Sequence, residues 1–266
     1  MIFDIISYSC PLLLASLGAL FSEYAGILAL FLEGLISFSG FQTFLFTTLT
    51  GSIIWGSILG LLSVLLITFI FSYVVEKTKA NQFIAAIGLN LFFSSIISLL
   101  SSIFFKTRGV LTSPQFLFPI NQVKIVSVIF TAIIIIATIC FLIFTQQGIY
   151  FRITGASADV LEVKGVSPSV YRISAWTISS FYAFFAGCFL AMKISSYVPN
   201  LSSGKGWMAL AAVFLGRKKV WKIVLFVLIF CAADYFGINI QNIFPNIPSS
   251  ILLSLPYLTV LLLTAI

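Results

Sequence analysis

Apolar runs close to twenty residues long recur along this chain, and they limit its fold more than any motif does. At 1.5 Å of rise per residue, such a run matches the ~30 Å hydrocarbon thickness of a bilayer. A water-soluble domain would also need a charged surface, about 25% of residues in typical cases. Here 8% of residues are charged and 61% are hydrophobic. The sequence therefore predicts an all-α polytopic membrane protein, residues 1–266 forming one transmembrane domain of about 8–10 transmembrane or partial helices.

Nine apolar segments stand out, at roughly 5–21, 25–41, 48–74, 83–105, 125–145, 173–195, 206–216, 220–238 and 249–266. Segment 206–216 would reach only about 16 Å as a helix, too short to cross. Segment 25–41 carries Glu33 and several glycines. Both are expected to be broken or partial spans. They share Gly-x-x-Ala-Leu, in "GILALFLEG" (26–34) and "GWMALAAVF" (206–214), and each follows one span and precedes two. The chain thus divides into a first half (1–105), an outer loop and linker span (106–150), a polar segment (151–172) and a second half (173–266). One linker span is an odd number, so the second half enters the membrane upside-down relative to the first. Short or glycine-interrupted segments at matching places in two inverted halves mark a transport pathway.

Basic residues orient this plan. Lys77 and Lys79, then Arg152, Lys164 and Arg172, then Arg217, Lys218, Lys219 and Lys222 fall on one side, and Lys106, Arg108, Lys124, Lys193 and Lys205 on the other. Nine against five makes the first side cytoplasmic, with the N-terminus outside and the C-terminus inside. The outer loop 106–124 is expected to form a small cap. The net charge of +7 is spread over loop ends, so it orients spans and does not indicate nucleic acid. The opening "MIFDIISYSCPLLL" has Asp4 and no basic residue, which reads as a retained span rather than a cleaved leader. There is no histidine. Cys10, Cys140, Cys188 and Cys231 lack metal or redox spacing and read as small buried hydrophobes. In "SSGKGW", Pro199 stands where a phosphate-binding loop needs its first glycine. The chain is accordingly expected to be no enzyme, to hold no cofactor, and to draw any energy from a partner.

Against this background "FRITGASADVLEVKGVSPSVYR" (151–172) is conspicuously polar. Residues 156–164 can form two to three helical turns, bracketed by Gly155 and Gly165 and stopped by Pro168. On the cytoplasmic side such a helix lies flat beneath the bilayer, either as a docking element or as a solvated loop.

Ionisable and polar groups inside spans are functional candidates. Glu33 and Asp234 are expected to line the pathway or to brace broken helices through hydrogen bonds. Asn90, mid-segment, needs partners in lipid and so faces protein or the pathway. Phe31 and Trp207 offer aromatic faces for stacking on a base or sugar, or they pack the core. Glu23 is expected to cap a helix beginning near Ala25. "GSILG" (56–60) fits a close-packing face, and Pro256 is expected to kink the last span. The cluster Arg217, Lys218, Lys219 and Lys222 suits anionic headgroups or an acidic partner edge.

The polar segment resembles the R-x-x-G…G coupling segment of ABC importer permeases for nucleosides, simple sugars and branched-chain amino acids, with Arg152, Gly155 and Gly165 on the matching positions. Residues 17–34, 81–91, 204–217 and 247–258 resemble the nucleoside and simple-sugar branch, in the family's order. The resemblance implies a permease subunit of an ATP-driven importer in the cell (inner) membrane. It implies a cytosolic ABC ATPase gripping a coupling helix that carries Asp159 and Glu162, with ATP acting only through that partner. It also implies a second permease subunit and an extracytoplasmic substrate-binding protein. Ala29 and Phe31 stand where the family usually has Asn and Gly, which favours a heterodimer whose sister subunit supplies solute contacts. The rival readings are an ion-coupled secondary transporter, an ABC permease for another small polar solute, and a membrane enzyme or assembly factor.

Overall fold

The computed structural model describes residues 2–243, 254 and 257–262. Ten α-helices precede the helical residues 257–262: α1 (Ile2–Tyr24), α2 (Leu32–Thr50), α3 (Ile53–Thr78), α4 (Gln82–Phe105), α5 (Ile120–Phe144), α6 (Gln146–Ala156), α7 (Ala158–Val163), α8 (Pro168–Ile194), α9 (Lys205–Leu215) and α10 (Val220–Ile243). Among the described residues the one β pairing is an isolated bridge between Leu111 and Tyr197. Among the described residues, six helices (α1, α3, α4, α5, α8 and α10) are long and apolar enough to cross a membrane.

Burial separates inner from outer helices. The membrane-length window of α1 is 83% buried, against 22% for α4 and α5. The outer helices display aliphatics instead: Ile54, Ile58, Leu62 and Leu66 on α3, and Ile129, Ile133 and Ile136 on α5. Aliphatic surface that dense is costly in water and neutral in hydrocarbon. Cys140 shares this outer face and is exposed, unlike the buried Cys10, Cys188 and Cys231, which corrects the expectation that all four are buried. All four are free thiols.

The contacts sort the two ends of the bundle. At one end Lys124 pairs with Asp4 at 2.7 Å, Lys193 donates to the Ser7 carbonyl, and Leu111 bridges to Tyr197. At the other, Arg172 pairs with Glu76 at 3.2 Å, Lys218 pairs with Glu23 at 2.9 Å, and α6 packs against the end of α1. The basic loops 75–82, 151–172 and 216–222 all lie at this second end.

Three local expectations are revised. The break in segment 25–41 lies at residues 25–31, so the second helix begins at Leu32 and continues to Thr50. Within it Ser39 and Thr43 donate to the Leu35 and Ser39 carbonyls of their own helix, which lets these hydroxyls be buried. Gly51 then closes the helix in the left-handed region. Glu23 caps no helix at Ala25. It sits in the last turn of α1, where Lys218 reaches it. The polar insert is two helices, not one, with Gly155 inside α6 and Ser157 separating it from α7. The "GSILG" face does close-pack: a Cβ on Gly56 would lie 2.7 Å from the Thr47 backbone of α2. Pro248 and Pro256 lie outside the described residues.

Candidate functional site

Two partial helices begin side by side in the interior, and neither carries its own cap. The N-cap position of α9 is Gly204, which has no side chain, and that of α2 is Phe31, whose side chain cannot accept a hydrogen bond. The first N–H groups of a helix need acceptors, especially away from water. Both sets are supplied from elsewhere in the fold. Glu33, in the first turn of α2, accepts from the Gly204 and Gly206 N–H groups at 2.7 Å each and from the Ser202 hydroxyl at 2.5 Å. Asn90 of α4 accepts from the Gly34 N–H at 2.6 Å through its side-chain oxygen. The carboxylate also faces the positive end of the α9 dipole. Gly206 is what permits the approach, because a Cβ there would lie 2.4 Å from the Glu33 nitrogen. Ser37 continues the network to Ser202 at 2.8 Å.

This junction opens into a cleft of about 230 Å³ lined by Glu33, Ser37, Ser94, Ser98, Tyr197 and Asn200, among others. The loop entering α9 holds Ser195, Asn200 and Ser203 at positive φ, a concentration of backbone strain of the kind kept where geometry is functional. Burial pushes the Tyr197 phenol up, so it stays neutral. Ser94 and Ser98 also line a larger groove of about 630 Å³, with Ser95, Ser102 and Arg108, along the exposed face of α4. Asn90, Ser94, Ser98 and Ser102 recur every four residues, so they form one stripe on that helix. This spacing is legible in the sequence, yet sequence reasoning singled out Asn90 alone. Ser37, Ser202 and Asn200 offered no comparable signal, since their meeting depends on how α2 and α9 cross.

The other candidates disperse. Phe31 is fully buried, edge-on to Trp176 with ring centroids 5.2 Å apart, which is core packing. Trp207 is 46% exposed on α9. Asp234 accepts from the Tyr8 hydroxyl at 2.5 Å and ties α10 to α1.

At the basic end, α6 and α7 form a second feature. Gly155 packs directly on the turn after α1: a Cβ there would lie 2.3 Å from the Tyr24 carbonyl oxygen and 2.7 Å from the Gly26 nitrogen. Gly165 sits at φ +74° with open space around it and closes α7. Arg152 donates to the Leu142 carbonyl at 3.2 Å and lies over the Tyr24 ring. Asp159 and Glu162 are exposed on α7, next to Val160 and Val163, which are 47% and 89% exposed. The six-residue α7 thus turns both apolar and acidic groups outward.

Residues 1–265 match the family described as branched-chain amino acid transport system / permease component. Among curated proteins, the chain is 24% identical to the nucleoside ABC transporter permease protein NupC of Lactococcus lactis subsp. cremoris, over 99% of this chain and 90% of the relative. It is 26% identical to the guanosine ABC transporter permease protein NupQ of Bacillus subtilis, over 97% and 88%. A Haloferax volcanii protein provisionally described as a glucose ABC transporter permease is 24% identical over 89% and 78%. No solved structure matches the chain. With the match running along nearly all of its length and six helices of membrane-crossing length, the chain belongs to the branched-chain amino acid transport system permease family and is a multi-pass protein of the cell membrane.

Proposed function

We propose that this permease subunit carries nucleosides or related sugar-containing solutes inward, driven by a separate cytosolic ATPase. The observation that carries the reading is the backbone contact between Gly155 and Gly26. It joins the α6–α7 pair to the chain break whose far end is Glu33. In this reading the ATPase holds α7 through Val160, Val163, Asp159 and Glu162, and ATP acts only there. Movement of α6 passes through Gly26 into residues 25–31 and reaches the α2–α9 junction. The two halves, 1–105 and 173–266, act as inverted repeats that rock about that junction. An extracytoplasmic binding protein delivers solute at the opposite end.

The solute path runs along the Asn90–Ser102 stripe of α4 and the junction cleft. Hydroxyl and amide groups there suit a neutral, hydroxyl-rich solute, and the names of the nucleoside and guanosine relatives favour nucleosides. A serine stripe exposed on one subunit calls for a second permease to cover it. Ala29 and Phe31 are buried in this chain and offer solute no polar group, so the second permease is read as a different subunit that supplies such contacts, a heterodimer. The test is affinity purification from the native membrane followed by uptake of labelled nucleoside in proteoliposomes. An ATPase and a second, different permease are expected to co-purify, and uptake is expected to need ATP and to survive an uncoupler. Uptake that collapses with the uncoupler and ignores ATP would replace this reading with an ion-coupled one.

A further inference from the structure

A cleft of about 490 Å³ opens at the basic end between α1, α5, α6 and the α9–α10 turn. Its polar rim holds Tyr24, Arg152, Arg217, Lys218 and Lys219, and its wall is Ile139, Leu142, Ile143 and Trp221, with others. Lys218 is paired with Glu23 at 2.9 Å. Arg152, Arg217 and Lys219 have no carboxylate partner among the described residues, so the rim has three uncompensated positive charges. The turn itself is strained. Arg217 and Lys218 are consecutive non-glycine residues at φ +48° and +60°, a conformation that costs about 1–2 kcal/mol each.

The wall continues outward as hydrocarbon-facing surface, with Ile143 58% and Phe144 81% exposed. A ligand here must therefore be anionic at one end and apolar at the other, and it must reach the cleft from within the bilayer. We infer that this cleft binds one anionic phospholipid of the cytoplasmic leaflet, its phosphate on Arg152, Arg217 and Lys219 and an acyl chain on Ile139 and Ile143. The bound phosphate then bridges α6, which carries Arg152, and the α9–α10 turn. It makes the docking end of the protein sensitive to lipid composition.

The experiment is native mass spectrometry of the detergent-purified chain titrated with phosphatidylglycerol or phosphatidylcholine of identical acyl chains. Phosphatidylglycerol is expected to bind preferentially at one site, and Arg217→Gln with Lys219→Gln is expected to weaken it about thirtyfold, the factor for two basic contacts of about 1 kcal/mol each. Lys222→Gln removes the same kind of charge from a residue that lies over the Trp221 ring outside the cleft lining, and it should leave the preference intact. Millimolar inorganic phosphate should not displace the lipid, because it lacks the acyl chain. Equal binding of both lipids, an equal effect of Lys222→Gln, or displacement by phosphate would each overturn the proposal. So would a double variant that keeps its lipid preference yet loses a co-purifying ATPase, which would make the rim a protein contact. Melting of the double variant in phosphatidylcholine at the wild-type temperature checks that it is folded. If it melts lower, Lys219→Gln alone is the substitute, with the preference for phosphatidylglycerol expected to weaken about fivefold, the factor for one such contact.

Discussion

Gly155 and Gly165 flank the same short helix but are glycines for different reasons. A methyl group at Gly155 would drive into the Tyr24 and Gly26 backbone, which cannot rotate away. At Gly165 a methyl group meets nothing within 4 Å, so Ala there carries only the left-handed backbone penalty of about 1–2 kcal/mol. Gly155→Ala is therefore expected to abolish most ATP-driven uptake while the protein still inserts, and Gly165→Ala to have the milder effect. Equal uptake in the two variants would remove the contact from the mechanism. Glu33 is the second decisive residue. Glu33→Ala leaves the Gly204 and Gly206 N–H groups without their acceptor, at about 1–3 kcal/mol each where they are buried, while the Ser202 hydroxyl keeps Ser37. Glu33→Gln keeps one acceptor oxygen. Melting temperatures in detergent should fall in the order wild type, Glu33→Gln, Glu33→Ala, and an Ala variant as stable as wild type would show the carboxylate caps nothing.

Among elements, α2 is the most dependent on its neighbours. It is buried on nearly every side and its first N–H groups are capped from α4. Its contact with α3 relies on Gly56, where a Cβ would lie 2.7 Å from the Thr47 backbone. A Cβ on Gly60 would lie 3.0 and 3.3 Å from atoms of the Phe184 ring, and a ring can move. Gly56→Ala should thus destabilise by about 1–3 kcal/mol, the usual cost of overpacking, and Gly60→Ala by less. Thermal unfolding of the two variants in detergent gives the comparison, and the reverse order would mean that α2 and α3 separate more freely than their packing implies.

The whole molecule has two kinds of outer face. On α5 the exposed mid-helix residues Ile125, Val126, Ile129, Ile133 and Ile136 are aliphatic, and on α4 a serine stripe interrupts the apolar residues. If α4 lines the solute path, Ser98→Cys in the assembled transporter reacts with a hydrophilic maleimide and saturating solute slows that reaction. Ile133→Cys on α5, 59% exposed, should stay unreactive because lipid covers it. Unreactive Ser98→Cys would move the path off this face. The same contrast of faces argues for a covering subunit, since hydroxyl stripes gain little from hydrocarbon.

Hydropathy, charge and spacing were enough to establish a multi-helix membrane protein, its short segment, the interruption near Glu33 and its polar insert. Each of these depends on local composition: apolar runs of membrane length, an 11-residue run too short to cross, and a cluster of charges amid hydrocarbon-like sequence. Only the tertiary structure decided that α2 starts at Leu32, that the insert is two helices, and that Glu33 and Asn90 are caps while Phe31 is core. It also decided that Arg152 shares a rim with Arg217 and Lys219. The reason is that a helix end takes its acceptor, and a cleft its charges, from whatever side chain the packing brings near, and residues 33 and 204 are neighbours only once the two halves have crossed.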